Sequence, residues 1–177
     1  MPSLPRNGKD EETDVDLLAC TLITGAGATA VTDLWAITRR RLLATPVPDY
    51  GLLGRWIGGM ARGRFRHDAI AASPPLAGER VLGWAAHYLI GIAFAAVLIG
   101  TVGIAWVRQP TLGPALVVGI GTVAAPFLVM QPAMGHGIAA SRTRRPWAAR
   151  LQSLVTHFVF GLGLYAAGRA AAFLYAP

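Results

Sequence analysis

Four long apolar runs, about residues 15–38, 81–107, 112–135 and 149–176, leave this chain few ways to fold. As a helix, each run is long enough to cross a hydrocarbon core, which takes roughly 20 residues. Inside hydrocarbon every backbone N–H and C=O must be satisfied, and a single segment achieves this only as a helix. The expected fold class is therefore all-α, an integral-membrane four-helix bundle. Composition agrees: with 54% hydrophobic residues, 14% charged residues and a mean hydropathy of +0.47, the chain is too apolar for an ordinary soluble domain. The expected organisation is a solvated acidic tail over residues 1–14 followed by one membrane domain over 15–177.

Net charge is +7, and all but one of the 16 basic residues are arginine. In a soluble protein that balance points to nucleic acid. Here the arginines lie between apolar runs, so membrane topology is the simpler cause and no nucleic-acid partner is expected. Arg39, Arg40, Arg41, Arg55, Arg62, Arg64, Arg66 and Arg80 separate the first two runs, Arg108 alone separates the second from the third, and Arg142, Arg144, Arg145 and Arg150 precede the fourth. Basic residues near span ends stay on the cytoplasmic side. That places the first and third loops inside and both termini outside, in keeping with Asp10, Glu11 and Glu12 in the N-terminal tail. The tail lacks the basic start and short apolar core of a cleavable signal peptide. The single cysteine, Cys20, reads as a small buried side chain.

In the first loop, the stretch YGLLGRWIGGMARGRF places Leu53, Trp56, Ile57 and Met60 at helical spacing on one side, with Arg55, Arg62 and Arg66 elsewhere. This predicts a short amphipathic helix in the headgroup layer, although its glycines lower the helix propensity. Arg39, Arg40, Arg41, Arg55 and Arg62 are the expected lipid-headgroup contacts. The third run carries Pro126 and Pro132, with Gly135 and Gly137 beyond, and should be bent or broken towards that end.

The stretch GAGATAVTDLW, residues 25–35, resembles the glycine fingerprint of a dinucleotide-binding turn. That turn needs a strand before the glycines and a helix after them, whereas these glycines lie inside an apolar run. Gly25, Gly27, Ala28, Thr29, Ala30 and Thr32 instead form a small-residue surface on which another helix can pack closely. Gly91 with Ala95, Gly121 with Ala125, and Gly161 with Gly163 repeat the pattern.

Ionisable groups inside spans are costly and usually face the bundle interior. Asp33 lies six residues before Arg39, while His87 and His157 each lie seven after Arg80 and Arg150. At about 1.5 Å of rise per residue, all three sit roughly 10 Å below the same surface. Gln131 falls at a similar level, with Met130, Met134 and His136 beside it as secondary candidates. Asp33, His87, Gln131 and His157 thus form the candidate polar site. Several readings stay open: a hydrogen-bonded cluster that fixes helix register, a metal held by Asp33, His87 and His157, a haem between His87 and His157, or a path that relays protons or a small solute. No cofactor is predicted, and haem or a transition metal is the alternative. The serines have no local nucleophile motif, and Trp84, Trp106, Trp147, Tyr165 and Tyr175 read as interfacial aromatic belts.

The segments TDLWAITRR, GLLGRWIGGM, GWAAHYLIGIAFA, PTLGPAL, APFLVMQPAMGHGIAASRT and HFVFGLGLY, taken in order, resemble a bacterial family known as domain of unknown function 2938. The resemblance covers roughly residues 16–170. It implies a four-span protein of the bacterial inner membrane, and it brings no reaction, ligand or partner. The family pattern often has Met before the first-span Asp, where this chain has Thr32. Two function classes remain: a non-enzymatic membrane protein, which moves a small solute or protons or packs as an accessory subunit through its small-residue faces, and a haem- or metal-binding redox protein. The first is the expectation. The discriminator is whether the small-residue surfaces face lipid or are sealed inside the bundle.

Overall fold

The computed structural model of the protein describes residues 8–174, with side chains from Leu17 onward. Residues 1–7, the acidic side chains of the expected tail and Tyr175 lie outside the described residues. The backbone of residues 8–14 already belongs to the first helix, α1 (Gly8–Leu43). All regular structure among the described residues is helical: α2 (Tyr50–Met60), α3 (Glu79–Val102), α4 (Ala105–Arg108), α5 (Leu112–Gly121), α6 (Gln131–Ala133) and α7 (Pro146–Leu174). A π-helical stretch, Pro126–Met130, precedes α6, and single 3-10 turns fall at Ile70–Ala72 and Ile138–Ala140.

Four segments are long and apolar enough to cross a membrane: Leu17–Leu43, Glu79–Val102, Leu112–Ala133 and Pro146–Leu174. The second is shorter than the apolar pattern suggested. Gly103, at a φ of 97°, ends α3, and Trp106 and Val107 belong to a separate turn, α4. The third is broken as its prolines predict. Helix α5 stops at Gly121, and a π-helical stretch starts at Pro126, whose missing N–H makes a regular ladder impossible there.

The spans pack in the order α3, α1, α7, α5, and α3 meets α5 over a smaller area. Around that meeting lies one core of Ala28, Ala95, Leu98, Ile99, Trp106, Ala115, Phe160 and Leu164. Trp106, expected in an aromatic belt, is buried here. Its Nε1 donates to Thr111 O at 3.1 Å, and its ring lies against Gly168 of α7.

The seams between spans run through glycine. A Cβ on Gly25 would collide with the Ile92 backbone, and one on Gly91 with the Thr29 hydroxyl, so α1 and α3 touch backbone to backbone. Gly119 meets Gly161 where α5 crosses α7, and Gly163 meets Ala28 where α7 crosses α1. Most of the expected small-residue surfaces are therefore used inside the bundle, whereas Gly121 faces open space.

At the other end a second core joins Leu53 and Trp56 of α2, Ile70, Ala86 of α3, Ala133 and Met134. Helix α2 is thus a wedge between α3 and the end of the third span. Asp49 caps it by accepting from Gly51 N at 2.9 Å. The glycines that weaken α2 as an isolated helix are what let it seat. A Cβ on Gly54 would enter the Glu79 carbonyl, and one on Gly83 the Tyr50 carbonyl.

Candidate functional site

Asp33, on α1, is the hub of the polar cluster. Its Oδ1 accepts from Tyr50 Oη at 3.0 Å and lies 3.0 Å from His87 Nε2, while Oδ2 accepts from Tyr88 Oη at 3.1 Å. Helix α1 brings the carboxylate, α2 brings Tyr50 and α3 brings His87 and Tyr88. These positions follow from the glycine seams, since Gly25 against Gly91 and Gly54 against Gly83 draw the three helices together on either side of Asp33. The Tyr50 ring stacks on the His87 imidazole, with centroids 4.0 Å apart, and Trp84 meets Tyr50 edge-on at 4.6 Å. The result is a carboxylate and an imidazole inside an aromatic frame, at side-chain exposures of 15% and 21%. Burial first, and then the Asp33 carboxylate, push the Tyr50 phenol well above its ordinary range, so it acts only as a donor here.

The other two members of the expected layer have different partners. His157 Nδ1, on α7, lies 2.9 Å from Thr122 Oγ1 and 3.3 Å from Gly119 O. Thr122 Oγ1 lies 2.6 Å from the same carbonyl, an arrangement satisfied when the hydroxyl donates to Gly119 O and the imidazole carries its proton on Nδ1. Gln131 Nε2 reaches Ser153 Oγ at 3.5 Å, and Gln131 Oε1 is buried without a partner. The predicted residues thus fall in three places: Asp33 with His87, His157 with Thr122, and Gln131 with Ser153.

Among the described residues no group of three His, Cys, Asp or Glu side chains is gathered so as to hold a metal ion. His87 turns to Asp33 and His157 to Thr122, so the two imidazoles have separate partners. Met134 is buried in the α2 core with Met130 packed against it, and His136 is exposed.

Arg55, expected at the headgroups, turns inward. Its Nε and Nη2 donate to the two Glu79 carboxylate oxygens, both at 2.7 Å, and Nη1 donates to Ser73 O at 2.8 Å. A bidentate carboxylate at the start of α3 is a better partner than mobile lipid, and it raises the Arg55 pKa further. Arg39 is buried with its Nε unpartnered, while Arg40, Arg41 and Arg62 are exposed. Tyr50, Tyr88 and Trp84 were missed as site residues. The pair His87–Tyr88 on a span that also carries Trp84 was the available signal.

No curated protein and no solved structure matches the chain. A family model described as "Protein of unknown function (DUF2938)" matches residues 22–171, and the chain belongs to that family.

Proposed function

We propose that this chain is a non-enzymatic, multi-pass protein of the bacterial inner membrane in which Asp33 and His87 exchange protons to drive or permit the movement of a small solute. The observation that carries the reading is a carboxylate within a span, 3.0 Å from an imidazole and still partly exposed. Ionisable pairs in such positions are the usual elements of proton relays. The inward use of most small-residue faces supports a self-contained bundle over a subunit awaiting a partner. The arginine-rich first and third loops favour a site towards the cytoplasm, with both termini outside.

The test is proton flux into proteoliposomes that carry a trapped pH dye, under an imposed membrane potential. Wild-type flux should fall at least tenfold in Asp33→Asn and in His87→Gln, with both variants still folded and monodisperse in detergent. Equal flux in all three proteins and in empty vesicles overturns the proposal.

A further inference from the structure

A second feature lies at the far end of α2 from Asp33. There the first loop folds onto the end of the third span: His67 N donates to Ala133 O at 2.8 Å and Ile70 N to Met134 O at 3.1 Å. Gly135, at a φ of 92°, sits so close to the Asp68 carbonyl that any side chain there would collide with it. Between the two segments this contact leaves a cavity of about 410 Å³, within the size range of small-ligand sites. Arg64, Arg66 and Arg142 line it with His67 and Asp68. A recess of about 220 Å³ bordered by Gly59 and Arg62 shares Arg64 and His67 with it.

The charges in this cavity are not balanced. Among the described residues the side chains of Arg64, Arg66 and Arg142 make no hydrogen bond or ion pair, whereas neighbouring Arg55 is neutralised by Glu79. Only one carboxylate, Asp68, faces three guanidinium groups. In the wall, His67 holds Ser73 Oγ through Nδ1 at 2.8 Å, and its Nε2 is buried with no partner. Planar guanidinium groups that line one cavity from two chain segments suit the tetrahedral, multiply accepting oxygens of phosphate.

We propose that this cavity binds a phosphate group, carried either by the headgroup of an anionic phospholipid or by a soluble phosphate compound. Arg64, Arg66 and Arg142 are as exposed as Arg40 and Arg41, but they line one concavity whose wall is set by backbone contacts. The inference is independent of proton exchange at Asp33.

The test compares the full-length protein with the triple variant Arg64→Gln, Arg66→Gln, Arg142→Gln and with a surface control, Arg40→Gln with Arg41→Gln. Native mass spectrometry after nanodisc reconstitution reads retained phosphatidylglycerol against phosphatidylcholine. Melting curves of delipidated protein with inorganic phosphate read the soluble source. Each arginine near an anionic surface contributes roughly fivefold to binding, so the triple variant should lose at least tenfold in retention or in phosphate affinity while the control changes little. Loss in the lipid arm alone assigns a headgroup, and loss in the phosphate arm alone assigns a soluble ligand. If the triple variant melts early, Arg142→Gln alone is used, because it lies outside the first loop. Equal behaviour of the variant and the control, or no preference for either anion in the wild type, overturns the site.

Discussion

The Asp33 carboxylate and the His87 imidazole meet at 3.0 Å across the α1–α3 seam, joining two spans that also meet through Tyr88 and through Gly25 with Gly91. Interhelical polar contacts in membranes are worth on the order of 1 kcal/mol. A double-mutant cycle with Asp33→Asn and His87→Gln, read by unfolding in detergent, should return a coupling of about that size. A coupling near zero would mean that the two groups touch without stabilising the bundle.

Glycine substitutions should divide by seam. Gly54→Ala and Gly83→Ala place a methyl group into backbone at the α2–α3 crossing, at a cost of roughly 1–3 kcal/mol. Gly100→Ala and Gly121→Ala meet no neighbouring atom and should be neutral or stabilising by up to about 1 kcal/mol, since alanine is the better helix former. Thermal unfolding of the four variants in one detergent checks the contrast.

Tyr50 gives a pH prediction. Burial and Asp33 raise its pKa in the folded protein above the ordinary 10.0, so the folded state holds the phenolic proton more tightly than the unfolded chain does. The stabilisation is fully present below pH 10 and is lost as pH rises through the folded value. Phenolate absorbance should therefore show one tyrosine fewer titrating near pH 10 than in Tyr50→Phe plus one free tyrosine, and the stability of Tyr50→Phe should converge on the wild type at strongly alkaline pH.

Thr122→Val removes the hydroxyl between His157 Nδ1 and Gly119 O while keeping the side-chain shape. The imidazole then has only the carbonyl at 3.3 Å, and the loss should be about 1 kcal/mol. Proton flux, where Asp33 carries it, should be unchanged, which separates the two polar groups.

The spans, the break in the third and the helix in the first loop were legible because apolar length, proline and helical spacing act locally. An expected level for Asp33, His87 and His157 was legible for the same reason, by counting from flanking arginines. Which of them met was not, because rotation about each helix axis is set by seams that no single segment encodes. Gly25 reads as a small residue in sequence; that it lands on Ile92 and so turns Asp33 towards His87 appears only when two helices are placed together. Arg55 shows the same limit. Its spacing put it on the polar side of α2, but its partner, Glu79, lies 24 residues away. Trp106 failed for another reason: the apolar run continued past Gly103, and only the backbone turn there sends the indole back into the core.

The glycine seams have a mechanical consequence. Where side chains interlock, two helices can slide only by exchanging rotamers, each exchange crossing its own barrier. Where backbone rests on backbone, as at Gly25 with Ile92 and at Gly119 with Gly161, there are no rotamers to exchange. Any sliding at these seams would therefore be opposed by polar contacts such as Asp33 with His87 and Thr122 with His157, and by the side chains of the core, rather than by rotamers at the seam itself.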